Sequence, residues 1–224
     1  MSEDGPRLSS RRFWAERERR CLAILGRGLM LLRDMAEVPE SEVDLNRCLY
    51  FCLSTASSEL FPNEIIAHVS ECNNQPDSGD ATRAARELKR PDFQWVYRDR
   101  YESDPHRSNK QFVVECKRIG KSVRADWVFN LNYVGHGVAR FRDSKWGYGA
   151  AMPSGAMVGY WQSMAGEQLV KEINDEAQRI HLPALTLIDT WNERSVTRLE
   201  HEFERPIMPS PFRLHHLWID LRVE

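Results

Sequence analysis

The stretch Arg90-Pro91-Asp92-Phe93-Gln94-Trp95-Val96-Tyr97, followed by Gln111-Phe112-Val113-Val114-Glu115-Cys116-Lys117-Arg118-Ile119, decides how this chain is read. Both segments are rich in aromatic and β-branched residues and predict strands. Between them Arg98 to Lys110, with its Asp, Ser, Pro and Asn, reads as a hairpin loop. Side chains alternate between the faces of a strand, so Val113, Glu115 and Lys117 share one face and Phe112, Val114 and Cys116 the other. An acid and a base on one side of an apolar strand are costly to bury unless the pair has a use. Pairing the two strands brings Asp92 beside Glu115 and Lys117. Two carboxylates suit a hard cation, and a lysine can position or deprotonate a water there.

Pro91-Asp92 followed by Glu115-Cys116-Lys117 resembles the motif of the PD-(D/E)XK nuclease superfamily, over roughly residues 40 to 190. The resemblance implies a restriction-endonuclease-like fold and a Mg2+-dependent hydrolase of DNA phosphodiester bonds, with Mn2+ able to substitute. Asp92 and Glu115 would bind the metal, and the backbone carbonyl of Cys116, between two site-facing residues, would be a third ligand. Lys117 would orient the attacking water and support its deprotonation, giving products with a 5′-phosphate and a 3′-hydroxyl. The family usually adds an acid on the helix before the first strand. Glu42, with Asn46 one turn on, is the choice here, and Glu40, Glu59 and Glu64 are its competitors. The superfamily spans restriction, repair, recombination and anti-phage enzymes, and a small bacterial defence nuclease is expected. A homodimer, or a partner protein of a defence complex, is expected with it. Two other readings stay open: a non-catalytic binding or scaffold subunit that keeps the fold, and an RNA-cleaving enzyme with the same site. Intact Asp92, Glu115 and Lys117 argue against the first.

The formal net charge is only −2, so any nucleic-acid footprint must be local. Lys117 to Lys145 supplies one: seven basic residues against two acidic ones, a balance of +5, interleaved with Trp127, Phe129, Tyr133 and Phe141. Lys and Arg neutralise phosphates, and aromatics stack on unpaired bases. Arg118, Arg124, Arg140 and Lys145 are the candidate DNA contacts. Five cysteines without a CxxC or Cys/His spacing predict reduced thiols and a cytoplasmic setting rather than a zinc site. No apolar run is long enough to span a membrane.

At 224 residues the chain can bury the core of one α/β domain. The expected fold is a central mixed sheet of about four to five strands flanked by helices. Residues 1–38 would be an N-terminal helical extension and 39–224 the nuclease domain. Helices are expected over about 10–35, 41–60, 81–89 and 166–181, with 125–146 starting helically. Residues 64–71 read as a short helix or turn, 156–161 and 184–189 as buried strands, and 214–223 as an added edge strand. Gly135-x-Gly137 and Gly147-x-Gly149 lack the strand and third glycine of a dinucleotide loop and read as turns. His215-His216, beside an apolar run, reads as structural, and His201, between Glu200 and Glu202, has no partner visible in sequence.

Overall fold

The computed structural model describes residues 4–74, 83–106, 108–120, 128–150, 152–189 and 196–222. Two helices come first, α1 (Asp4–Arg33) and α2 (Glu42–Leu60), then β1 (His68–Ser70) and α3 (Arg83–Glu87). The hairpin follows as β2 (Phe93–Arg98) and β3 (Asn109–Ile119). A broken helix, α4 (Phe129–Asn132), a π-helical turn (Tyr133–Val138) and α5 (Ala139–Arg142), leads to β4 (Ser154–Trp161). The chain ends with α6 (Gly166–Arg179), β5 (Thr186–Leu187), β6 (Thr197–Phe203) and β7 (Phe212–Asp220).

The strands form one mixed sheet in the order β1-β2-β3-β4-β7-β6-β5. β4 runs parallel to both β3 and β7, and the other pairings are antiparallel. All of β4 is buried, as a parallel strand covered on both faces should be. One face packs Phe112, Val114, Cys116, Ala156 and Val158 against α1 and α2. The other packs Val113, Ile119, Met157 and Trp218 against Tyr133, Val134, Phe141 and the Leu169 and Ile173 side of α6. The period-two alternation read from β3 is therefore the division between the two halves of the core.

The sheet has seven strands, not four to five. β1 has three residues, too few to show a period, so residues 64–71 had read as helix or turn. β6 alternates buried Thr197, Leu199, His201 and Phe203 with charged neighbours, which is the pattern of a half-buried strand. β7 is interior, between β4 and β6, rather than an edge. Its run from Leu214 to Ile219 is buried on both sides, which an edge strand would not be. The helix expected from residue 10 begins at Asp4. Cys21, Ile24, Leu25, Leu29 and Leu32 of α1 lie in the same apolar cluster as β2 and β3. Gly28 lets the two helices close up, because a Cβ there would stand 2.7 Å from Leu53 Cδ2.

Candidate active site

The ladder between β2 and β3 ends at Phe93 and Val114. Extending that register one step sets Asp92 opposite Glu115, and one step further Pro91 has no N–H to continue it. The edge of β3 beyond that point would leave backbone donors unpaired, which is costly away from water. Side-chain carboxylates take them instead. Asp92 Oδ2 accepts from the N–H of Cys116 at 2.6 Å, and Glu42 Oε2 from that of Arg118 at 3.3 Å. The acids gather here because the strand edge is open.

Glu115 is fully buried. Its Oε1 accepts from Lys117 Nζ at 2.8 Å and also from Arg140 Nη1. Its Oε2 is buried with no partner. Burial, then the neighbouring charge of Asp92, push the Glu115 pKa up to about 8, against the pull of Lys117 and Arg140. Two cations thus leave this carboxyl short of compensating positive charge. Asp92 is raised as well, mainly by burial, against the Lys117 charge and the Cys116 N–H. The Lys117 ammonium has three donors and meets three acceptors: Glu42 Oε1 at 2.9 Å, Glu115 Oε1 at 2.8 Å and the Cys116 carbonyl at 2.7 Å. Burial alone would lower its pKa, but Glu115, Asp92 and Glu42 override that and hold it above that of a free lysine. Lys117 stands as an ammonium at neutral pH.

Helix α2 delivers Glu42 because Ser41 caps it, accepting from Asp44 N at 3.1 Å. One turn on, Asn46 donates to Asp92 Oδ1 at 3.0 Å and accepts from the Tyr160 hydroxyl at 2.7 Å. From the other side the π-helical turn carries the chain over Lys117. Gly137 sits there because a Cβ would meet Met157 Cε at 2.5 Å and Lys117 Cγ at 3.4 Å. Helix α5 then sends Arg140 into the site, with its guanidinium over Trp146 at 4.3 Å. Arg205 fixes the following loop. Its five N–H groups reach the carbonyls of Phe141, Tyr148, Gly149, Met152 and Pro209.

The structure thus brings Asp92, Glu115, Lys117 and Glu42 into one hydrogen-bonded cluster. The competing acids lie elsewhere: Glu59 pairs with Arg27, Glu64 with Arg20, and Glu40 offers its carbonyl to Arg118 and Gln162. The basic segment is less open than its charge suggests. Arg118 lies over Phe129 at 4.4 Å, Arg142 reaches the Ile180 carbonyl, and Arg140 is bound to Glu115. Lys145 alone of the four candidate DNA contacts has a largely exposed side chain among those described, 3.5 Å from Asp143. Arg124, with Lys121 and Trp127, lies outside the described residues. Tyr160 and the place of Arg140 inside the cluster had no sequence signal beyond a buried strand and a positive charge.

The donor set fits a hard divalent cation. Two adjacent carboxylates, an unpartnered buried oxygen on one of them and the Cys116 carbonyl are oxygen ligands of the kind Mg2+ takes, with water and substrate completing its shell. Among the described residues no group of three or more His, Cys, Asp or Glu side chains is arranged to hold a metal, so carbonyl and water ligands would be needed. No protein-family profile, curated protein or solved structure matches the chain.

Proposed function

We propose that this protein is a metal-dependent phosphodiesterase acting on DNA, with a site of the PD-(D/E)XK type in a restriction-endonuclease-like fold. The observation that carries the reading is Glu115: a fully buried carboxyl beside a second carboxyl, held on one oxygen by two cations and unpartnered on the other. Asp92, Glu115 and the Cys116 carbonyl would hold Mg2+, which when bound stabilises charge developing on the phosphate. Lys117, fixed as an ammonium, would exchange one of its three contacts to donate to the attacking water and favour its hydroxide form by charge, rather than accepting its proton. Glu42 holds that ammonium in place. Arg140, which is bound to Glu115 and whose buried Nε has no hydrogen-bond partner, would meet a non-bridging phosphate oxygen.

The test is cleavage of plasmid, linear and single-stranded DNA, and of RNA, with Mg2+ or EDTA. Mg2+-dependent cleavage by the wild type is expected, and Asp92→Ala and Glu115→Ala should each abolish it while leaving the fold intact. Full activity in either variant would exclude the site as placed here, and cleavage of RNA alone would move the substrate class.

A further inference from the structure

Helix α2 has three working faces. Leu45, Leu49, Leu53 and Ala56 are buried in the core, and Glu42 and Asn46 serve the cluster just described. Val43, Arg47, Tyr50 and Phe51, at spacings of four, seven and eight residues, share a third face. That face walls a cavity of about 390 Å³, closed on the other side by Ser70, Glu71 and Phe93 and bordered by Asp92, Asn46 and Glu42. The size falls within the range of small-ligand pockets.

Two aromatics in this wall are held differently. Tyr50 is anchored, its ring edge-on to His68 at 4.7 Å and its carbonyl in contact with His68 Nε2 at 3.0 Å. Phe51 is 69% exposed. An exposed ring beside a cavity that shares Asp92 with the reacting cluster is placed to meet whatever enters.

We propose that this cavity holds one unpaired nucleobase of the substrate strand, flanking the scissile phosphate and stacked on Phe51. The inference rests on the phosphodiesterase reading above. Charge decides which part of a nucleotide enters. Glu42 (itself held by Lys117), Glu71 and Asp92 line the cavity, and the one cation of the lining, Arg47, is paired with Asp44 at 2.8 Å, so no lining cation is left to draw a phosphate and the neutral, flat base is the part that enters. Each base has a face that stacks on an aromatic ring. A base still paired in a duplex cannot reach the cavity, so the strand enters single or with the base turned out.

Cleavage kinetics of the full-length protein test this, using a single-stranded oligonucleotide and the same oligonucleotide lacking the base beside the cut. Phe51→Ala should raise KM on the intact strand about tenfold, with little change in kcat. Removing the base should have a similar effect on the wild type. The two losses should not add in combination, because one contact accounts for both. Phe51→Trp should restore the wild-type KM. Phe51 is exposed, so unchanged thermal unfolding of Phe51→Ala is expected and would exclude a folding defect. An unaltered KM in Phe51→Ala, or losses that simply add, would overturn the base pocket while leaving the nuclease reading in place. A wild type that cleaves no nucleic acid would remove the phosphodiesterase reading and this inference together.

Discussion

At the scale of single residues, Glu115 shows why alternation in a strand can be read as chemistry. An apolar strand rarely puts an acid and a lysine on one face without use, and the pairing register placed Asp92 against them from sequence alone. Arg140 was legible only as a charge. It reaches Glu115 through a π-helical turn that no periodicity announces, and the residue expected as a DNA contact is half-buried against Trp146. The roles of Arg140 and Lys145 should therefore separate. Arg140→Ala is expected to lower kcat on the order of 10²-fold, as loss of one preorganised donor does, beyond its effect on affinity. Lys145→Ala should leave kcat near wild type and flatten the dependence of DNA affinity on salt by roughly one unit of slope. Titrating binding against salt and measuring single-turnover rates for both variants decides it. Unchanged slopes in both would mean that phosphates approach from elsewhere.

At the scale of elements, α2 is the most economical piece of the fold, since one helix supplies core, cluster and cavity wall. Its start was readable because Ser41, Glu42 and Asp44 are a cap and first-turn acids. Its third face was not, because Phe51 lies in the apolar run Leu49-Tyr50-Phe51-Cys52-Leu53 and nothing in that run separates an exposed ring from a core one. The cap also fixes Glu42. Ser41→Ala should cost about 1 kcal/mol of stability and reduce cleavage further than that loss explains, because the contact of Glu42 with Lys117 depends on the first turn. Thermal unfolding compared with turnover is the check, and a variant destabilised as expected but fully active would show that Glu42 is dispensable. β6 and β1 escaped the sequence reading for opposite reasons. Charges at every second position of β6 drew attention to chemistry instead of to the alternation, and β1 is too short to alternate.

At the scale of the whole molecule, the α/β class followed from the order of strands and helices, while the extent of the sheet depended on pairings far apart in sequence. Those pairings bury His201 and His216 side by side, ring centroids 4.9 Å apart. Burial lowers the His201 pKa to about 4 and holds that of His216 well below its ordinary value, helped there by His201 and His215. The unfolded chain then binds more protons than the folded one below the ordinary value of 6.5. The part of the stability due to these histidines is complete above that pH and falls as pH drops from 6.5 through about 4, His201 contributing up to about 3 kcal/mol of the loss, while Glu115, raised to about 8, acts in the opposite sense. His201→Asn, which can keep a donor towards the Pro183 carbonyl, should make the denaturation midpoint less sensitive to pH across that window. An unaltered pH profile would place the acid sensitivity in other groups. Arg205, finally, joins the loop after Arg140 to the turn between β6 and β7 through five main-chain carbonyls, its guanidinium lying over the Phe212 ring at 3.8 Å. Segments tied in that way open together, so amide protons of residues 141–150 and of the turn between β6 and β7 should share one opening free energy, and exchange in both should slow in step when DNA is added.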